Sequence, residues 1–213
     1  MKKTATTLTL LFCFLWSMHC YSQSENESSS LSNSGWFSLG GRSTLSLFDL
    51  DGTGLGTGGQ FRIQLNKRVN TDWFADYITI NMKEGVRSTY YHIGWSVLYY
   101  PFEKLKYPKI VQPYILAGHC FDYNEKTVIN APSISKSRWG SAVQAGIGAH
   151  FNLSKRFDLS LTAQYMIHLT KELIVEEHEA GDIQIIEHSH SSLEGHLLTT
   201  ISLNYKLFRL WKK

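Results

Sequence analysis

FDLSLTAQYMIHL, the stretch from Phe157 to Leu169, decides the fold class. Its odd-numbered side chains are all apolar or aromatic, whereas its even-numbered side chains are mostly polar. Successive side chains of an extended chain point to opposite faces, so this alternation predicts a β-strand with one apolar and one polar face. The stretch alone leaves open which face meets protein and which meets the surroundings.

The same alternation recurs along the chain and predicts eight strands in all. The other seven are Trp36–Phe48, Gly59–Leu65, Trp73–Met82, Tyr91–Tyr99, Ile110–Phe121, Trp139–Leu153 and Leu193–Leu207. Two of them are less regular, because Asp76 interrupts an apolar even-numbered set and Pro113 indicates a bulge or a strand start.

The connections between the strands differ in length. Short basic connections are predicted at 65–72, 101–109 and 152–158, and a second set, most of them longer, at 49–58, 83–88, 121–138 and 170–192. Short turns at one rim and longer loops at the other are typical of outer-membrane β-barrels.

The two ends and the composition narrow the class of protein. Lys2 and Lys3 precede an apolar run, which predicts a secretory signal over 1–22, followed by a polar leader over 23–35. Of three cysteines only Cys120 lies beyond this signal, so no internal disulfide is expected. A net charge of +3 with both signs mixed gives no sign of nucleic-acid binding. The barrel is expected over 36–208, with a basic tail over 209–213.

Three features favour a barrel in lipid over a soluble lipocalin-like barrel or sandwich. Most predicted strands reach the roughly 9–11 residues needed to cross a bilayer, whereas strands of soluble proteins usually have about 5–6. A closed barrel pairs every backbone polar group, as hydrocarbon requires. Aromatic residues also lie near strand ends, as in the girdles at the two membrane interfaces. They are Trp36, Trp73, Tyr99, Tyr100, Trp139, Phe157, Tyr205 and Phe208.

The segments Pro113-Tyr114 … Ala117-Gly118 and Gly146-Ile147-Gly148 … Asn152-Leu153, together with the alternating strands, resemble a known family. It is the small outer-membrane β-barrel family that includes OmpA-, OmpX- and OmpW-like proteins. The resemblance covers about Trp36 to Phe208. It implies a Gram-negative outer-membrane location, with outer-membrane lipid, lipopolysaccharide and the insertion machinery as partners. In such barrels the insertion machinery commonly reads a terminal aromatic residue, but here Phe208 is followed by RLWKK, so that signal is either displaced or degenerate.

The interior of an eight-stranded barrel is just wide enough for side chains, so a filled lumen is expected instead of a porin channel. Buried charges are costly unless paired, and the inward polar residues are therefore expected to form one network of ion pairs and hydrogen bonds. Its predicted members are Arg42, Arg62, Gln144, Asp158, Gln164, His168, Glu194, His196 and Lys206.

Histidines are the most specific chemical feature. If inward residues of the last two strands are both even-numbered, paired residues sum to 360 or 362, and His168 then faces Ser192 or Glu194, with His196 one step along. A hydrogen-bonded plug is the simplest interpretation. Ser192, His168, Glu194 and His196 could instead be hydrolytic, as in lipid A deacylases, although a lumenal position would keep them from lipid.

A second cluster lies in the long connection, where His188, His190 and His178 could share zinc or copper. A polar loop is the simpler interpretation of these residues, so neither a metal nor another cofactor is predicted. The expected function is that of a structural, adhesive or complex-forming surface protein, with other envelope proteins as partners. The rival functions are a lipid A-modifying acyl hydrolase and an OmpW-like conduit for small apolar molecules.

Overall fold

The computed structural model describes residues 34–48, 52–82, 85–102, 111–170, 173–177, 183–187 and 195–211. These residues form ten β-strands. They are β1 (Trp36–Phe48), β2 (Gly52–Gln64), β3 (Val69–Asn81), β4 (Val86–Tyr99), β5 (Val111–Val128), β6 (Ala131–Asn152), β7 (Phe157–His168), β8 (Leu173–Glu177), β9 (Ile183–Glu187) and β10 (Gly195–Arg209).

Eight of the strands close into one antiparallel barrel. Its order is β1-β10-β7-β6-β5-β4-β3-β2, so each barrel strand lies beside the next one along the chain, and β10 returns to β1. The remaining strands, β8 and β9, pair only with each other, within the connection from β7 to β10. The predicted up-and-down eight-stranded barrel is confirmed.

Inward-facing residues are even-numbered in all eight barrel strands. The paired residues of β7 and β10 sum to 362, as in Ser160 and Ser202, which is one of the two predicted sums. Residues paired across antiparallel strands share a face, so an even sum carries the same parity from strand to strand. Accordingly, every buried residue described in the eight barrel strands has an even number.

Polar side chains fill the interior and apolar side chains cover the outer wall. The exposed fractions of Ile147, Ile201 and Leu161 are 64%, 53% and 45%, although all three are large hydrophobic residues. Arg62 and Asp158, in contrast, are 4% and 2% exposed. An apolar wall around a polar interior is the arrangement expected in lipid. No helix in the described part of the chain is long and apolar enough to cross a membrane.

Aromatic rings form two rows of contacts between neighbouring strands. One row runs Phe208, Phe37, Phe61, Trp73 and Trp95, and the other runs Tyr77, Tyr91, Tyr123 and Trp139. One predicted girdle residue is misplaced. Tyr100 has an even number and lies in the interior, where it is 2% exposed.

Two predicted connections are strand in the structure. Residues 52–58 belong to β2, and most of 121–138 forms the β5–β6 hairpin, which turns at Ile129 and Asn130. The prediction placed loops there because the apolar alternation stops. Backbone ladders, however, continue beyond the segments that need an apolar face, since hydrogen bonding does not depend on side-chain polarity.

The short turns explain a near-repeat in the sequence. The side-chain oxygen of Asn66 accepts hydrogen bonds from the backbone N–H groups of Arg68 and Val69, at 2.7 and 2.8 Å. Ser154 accepts from the corresponding groups two and three residues later. Such side chains stabilise tight turns, and so the two turns share the pattern Asn or Ser followed by Lys-Arg.

Candidate functional site in the barrel lumen

Arg62 of β2 organises the end of the lumen nearest the short turns. Its Nε donates to Asp72 of β3 at 2.6 Å, and Nη1 donates to Asp158 of β7 at 2.9 Å. Asp72 is its direct cross-strand partner on β3. Asp158 lies on β7, which is three places from β2 around the ring. A single guanidinium therefore compensates two carboxylates and links separate parts of the wall.

A second ion pair joins Arg42 of β1 to Asp76 of β3. The closest atoms, Nε and Oδ1, are 2.9 Å apart, in contact but not aligned as a hydrogen bond. The guanidinium also lies 4.5 Å from the ring centroid of Phe74 and 3.4 Å from side-chain oxygens of Gln60 and Thr200. Asp76, which breaks the apolar pattern in the sequence, is thus the counter-ion of a buried arginine.

Amides carry the network across the middle of the lumen. Gln164 donates to Gln144 at 2.9 Å, and Gln144 donates to Ser96 at 2.8 Å, so three strands are joined in series. On the other side, Gln60 donates to Asn204 at 2.7 Å. A cavity beside these groups has a volume of about 20 Å³, which is room for roughly one water molecule.

An aromatic layer surrounds His150. Its Nε2 lies 2.8 Å from the Tyr100 hydroxyl, and its Nδ1 lies 2.6 Å from Ser160. The Tyr114 ring packs on the imidazole with centroids 4.5 Å apart. Both ring nitrogens of His150 therefore have partners, so this histidine is a satisfied structural residue.

Three further histidines meet at the other end of the lumen. His92 of β4, His168 of β7 and His196 of β10 are each at most 1% exposed, and one ring nitrogen of each lies within 4.8 Å of the others. The Nδ1 of His168 is 2.8 Å from Asp122 Oδ2, and its Nε2 is 3.1 Å from His196 Nδ1. We call these four residues the histidine cluster.

The ladders explain how the cluster forms. His92 is paired with Asp122 across β4 and β5, and His196 is paired with Met166, two residues before His168 on the same face of β7. All have even numbers and so point inward. The narrow interior brings these two groups together from opposite walls.

The predicted site residues divide into three sets. Buried in the lumen are Arg42, Arg62, Gln144, Asp158, Gln164, His168 and His196. Lys206 is half-buried. Outside the described residues lie Ser192 and Glu194 of the hydrolytic set and His178, His188 and His190 of the loop metal set.

Sequence reasoning did not assign site roles to four residues that the structure makes central. Asp72, Asp76 and Asp122 supply carboxylates to buried arginine or histidine, and His92 completes the histidine cluster. Parity alone marks all four as inward-facing, and that signal was present in the sequence. Their partners depend on the stagger between strands, which the alternation does not contain.

Comparison with known proteins rests on structure. No protein-family model matches this sequence, and no curated protein matches it either. Solved structures do match. Neisserial surface protein A is 13% identical, with 82% of this chain and 98% of that chain covered and a TM-score of 0.53. A major outer membrane protein from Thermus thermophilus is 11% identical, with 80% and 99% covered and a TM-score of 0.55.

The chain has the fold of a small outer-membrane β-barrel. The resemblance stated from the sequence is confirmed at this level, because both structures are matched over nearly their whole length. At such low identity the likeness concerns the fold and carries no site residue from one barrel to another. The function of this barrel has to be argued from its own lumen and wall.

Proposed function

We propose that this chain is a sealed outer-membrane β-barrel of a Gram-negative envelope that acts through its surface. In this role it anchors in outer-membrane lipid and lipopolysaccharide. The rim that carries the longer connections faces other envelope proteins or the exterior. Folding into the membrane would require the outer-membrane insertion machinery. The N-terminal signal predicted over 1–22 would supply export.

The single observation that supports this proposal is the bridged lumen. Arg62 links β2 to β7, and Gln144 links β6 to β4 and β7, so side chains cross the interior at two heights. A diffusion channel needs a continuous water path, whereas these bridges connect strands across an interior that is just wide enough for side chains. A protein with a blocked lumen is left with its wall and rims as sites of action.

Planar-bilayer conductance tests the seal. The refolded protein should produce no stable conductance steps under conditions in which an open porin does. As a matched variant, Arg62→Ser combined with Asp72→Ser and Asp158→Ser removes this bridge together with its three charges, and it should also remain closed because the Gln144 bridge still crosses the lumen. Stable steps from the unmodified protein would contradict the proposal and favour the OmpW-like conduit.

Mass spectrometry of lipid A tests the hydrolytic alternative. Cells that produce the protein should keep unmodified lipid A, because His168 and His196 are buried inside the barrel and face Asp122 and His92. The proposed role would be overturned if the unmodified protein removed an acyl chain from lipid A and the Ser192→Ala variant did not. Membrane fractionation with heat-modifiable gel migration tests the location, since folded barrels resist SDS until they are boiled.

A further inference from the structure

The histidine cluster has more ligand capacity than its hydrogen bonds use. Within the described part of the chain, neither ring nitrogen of His92 has a hydrogen-bond partner, although the residue is 0% exposed. Buried polar atoms are nearly always satisfied, so such an orphan needs an explanation. His150 shows that the same lumen can satisfy an imidazole at both nitrogens.

The hydrogen bond to Asp122 determines which nitrogen of His168 is left to bind a metal ion. The Asp122 carboxylate accepts from His168, which places the His168 proton on Nδ1 and leaves Nε2 as an acceptor. That Nε2 faces His196 Nδ1 at 3.1 Å. A carboxylate that holds the far nitrogen of an imidazole is the arrangement that orients histidine ligands toward a metal ion.

We propose that His92, His168 and His196 bind one divalent transition-metal ion, Zn²⁺ in the first place, with Asp122 as the positioning residue behind His168. Three imidazoles with a fourth position open to solvent or substrate make a recognised zinc coordination set. Neutral imidazole also suits copper and nickel, so these ions compete for the site. The ion takes the place of the hydrogen bond between His168 Nε2 and His196 Nδ1, the His196 proton moves from Nδ1 to Nε2 of the same ring, and His92 gains a partner.

The distances fit this chemistry. Two nitrogens bound at about 2.0–2.1 Å to a tetrahedral zinc ion lie roughly 3.3 Å apart. The His168 and His196 nitrogens are already 3.1 Å apart, and the three ligand atoms lie within 4.8 Å of one another. Closing the longest separation needs a movement of roughly 1.5 Å, which small side-chain rotations supply.

A bound ion would cross-link the barrel. His168 and His196 lie on neighbouring strands, whereas His92 lies on β4, three places from β7 around the ring. The ion therefore ties opposite walls together, as Arg62 does at the other end. Ligands that bind only the folded state raise the midpoint of unfolding, so Zn²⁺ should stabilise the folded barrel.

Metal titration of the full chain, folded in detergent, tests the site. The protein should retain one Zn²⁺ per chain after dialysis, and bound Co²⁺ should give the intense visible absorption of tetrahedral coordination. His92→Ala and His196→Ala should lose this ion and its absorption. Asp122→Asn should weaken binding by about 10–100-fold, as losses of such orienting partners do. Zn²⁺ should raise the unfolding midpoint of the unmodified protein but not that of His92→Ala.

Two controls separate this site from other histidines. His150→Gln changes a buried imidazole that already has partners, and it should leave binding unchanged. The double variant His188→Ala with His190→Ala removes two of the three loop candidates, and it should also leave binding unchanged. If that double variant abolishes binding while His92→Ala retains it, the proposal is wrong. Absence of retained Zn²⁺ in the unmodified protein, which needs no variant to fold, would overturn it as well.

Discussion

At the scale of single residues, the lumen is stabilised by a few charges whose partners come from distant parts of the chain. Arg62 is the clearest case, because two carboxylates depend on it. Arg62→Leu leaves both carboxylates buried without their cation, and we expect the free energy of unfolding to fall by about 3–5 kcal/mol. Urea unfolding in lipid vesicles measures this.

Arg156 provides a matched comparison. It is exposed in a short turn and donates to the Tyr205 hydroxyl at 2.9 Å, so Arg156→Leu should change the free energy of unfolding little. Equal losses in the two variants would show that burial of Arg62 does not matter. Adding Asp72→Asn to Arg62→Leu should recover part of the lost stability, since one uncompensated charge is removed.

The sequence predicted which residues face the interior better than it predicted which residues contact each other there. Alternation placed Arg62, Asp158 and Gln164 on the inward face, where the structure has them. It could not pair Arg42 with Asp76, since that contact skips β2 and depends on how the strands are staggered. Long-range geometry of this kind is a property of the closed ring and has no local signature.

At the scale of strands, close approach of backbones limits which residues fit. A Cβ added at Gly118 of β5 would lie 2.1 Å from the Trp95 carbonyl oxygen of β4. Gly118→Ala therefore forces these strands apart, and we expect it to lower the free energy of unfolding by about 1–3 kcal/mol. Gly41 of β1 has no atom within 4 Å of the added Cβ, so Gly41→Ala should be neutral or slightly stabilising.

Thermal or urea unfolding of both glycine variants in the same lipid makes the comparison. A similar loss from Gly41→Ala would assign the effect to strand propensity instead of strand contact. The β4–β5 contact would then be unimportant for stability.

Strand ends were predicted less well than strand centres. The start of β1 and the start of β7 were predicted correctly, because their apolar alternation runs to the end of the strand. β5 and β6, with 18 and 22 residues, extend well beyond the alternating segments. Where neither face needs to be apolar, the side-chain pattern no longer indicates a strand, although the backbone hydrogen bonds between the strands continue.

At the scale of the whole molecule, the apolar wall should respond to charge according to depth. Ile201 lies near the middle of β10, and Ile201→Arg should lower the free energy of unfolding in lipid by about 2–4 kcal/mol. Leu207 lies near the end of the same strand, and Leu207→Arg should cost only about 0–1 kcal/mol. Equal costs at both positions would mean that the wall does not cross hydrocarbon.

The seam between β1 and β10 determines when this molecule can become stable. Trp36 pairs with Arg209, so the first barrel strand, β1, has both of its neighbours only when the last one, β10, is in place. Until β10 is in place, β1 would present an unsatisfied edge that hydrocarbon cannot tolerate. The ring can therefore close in lipid only when both strands are present, and a truncation that removes β10 alone should abolish the closed barrel.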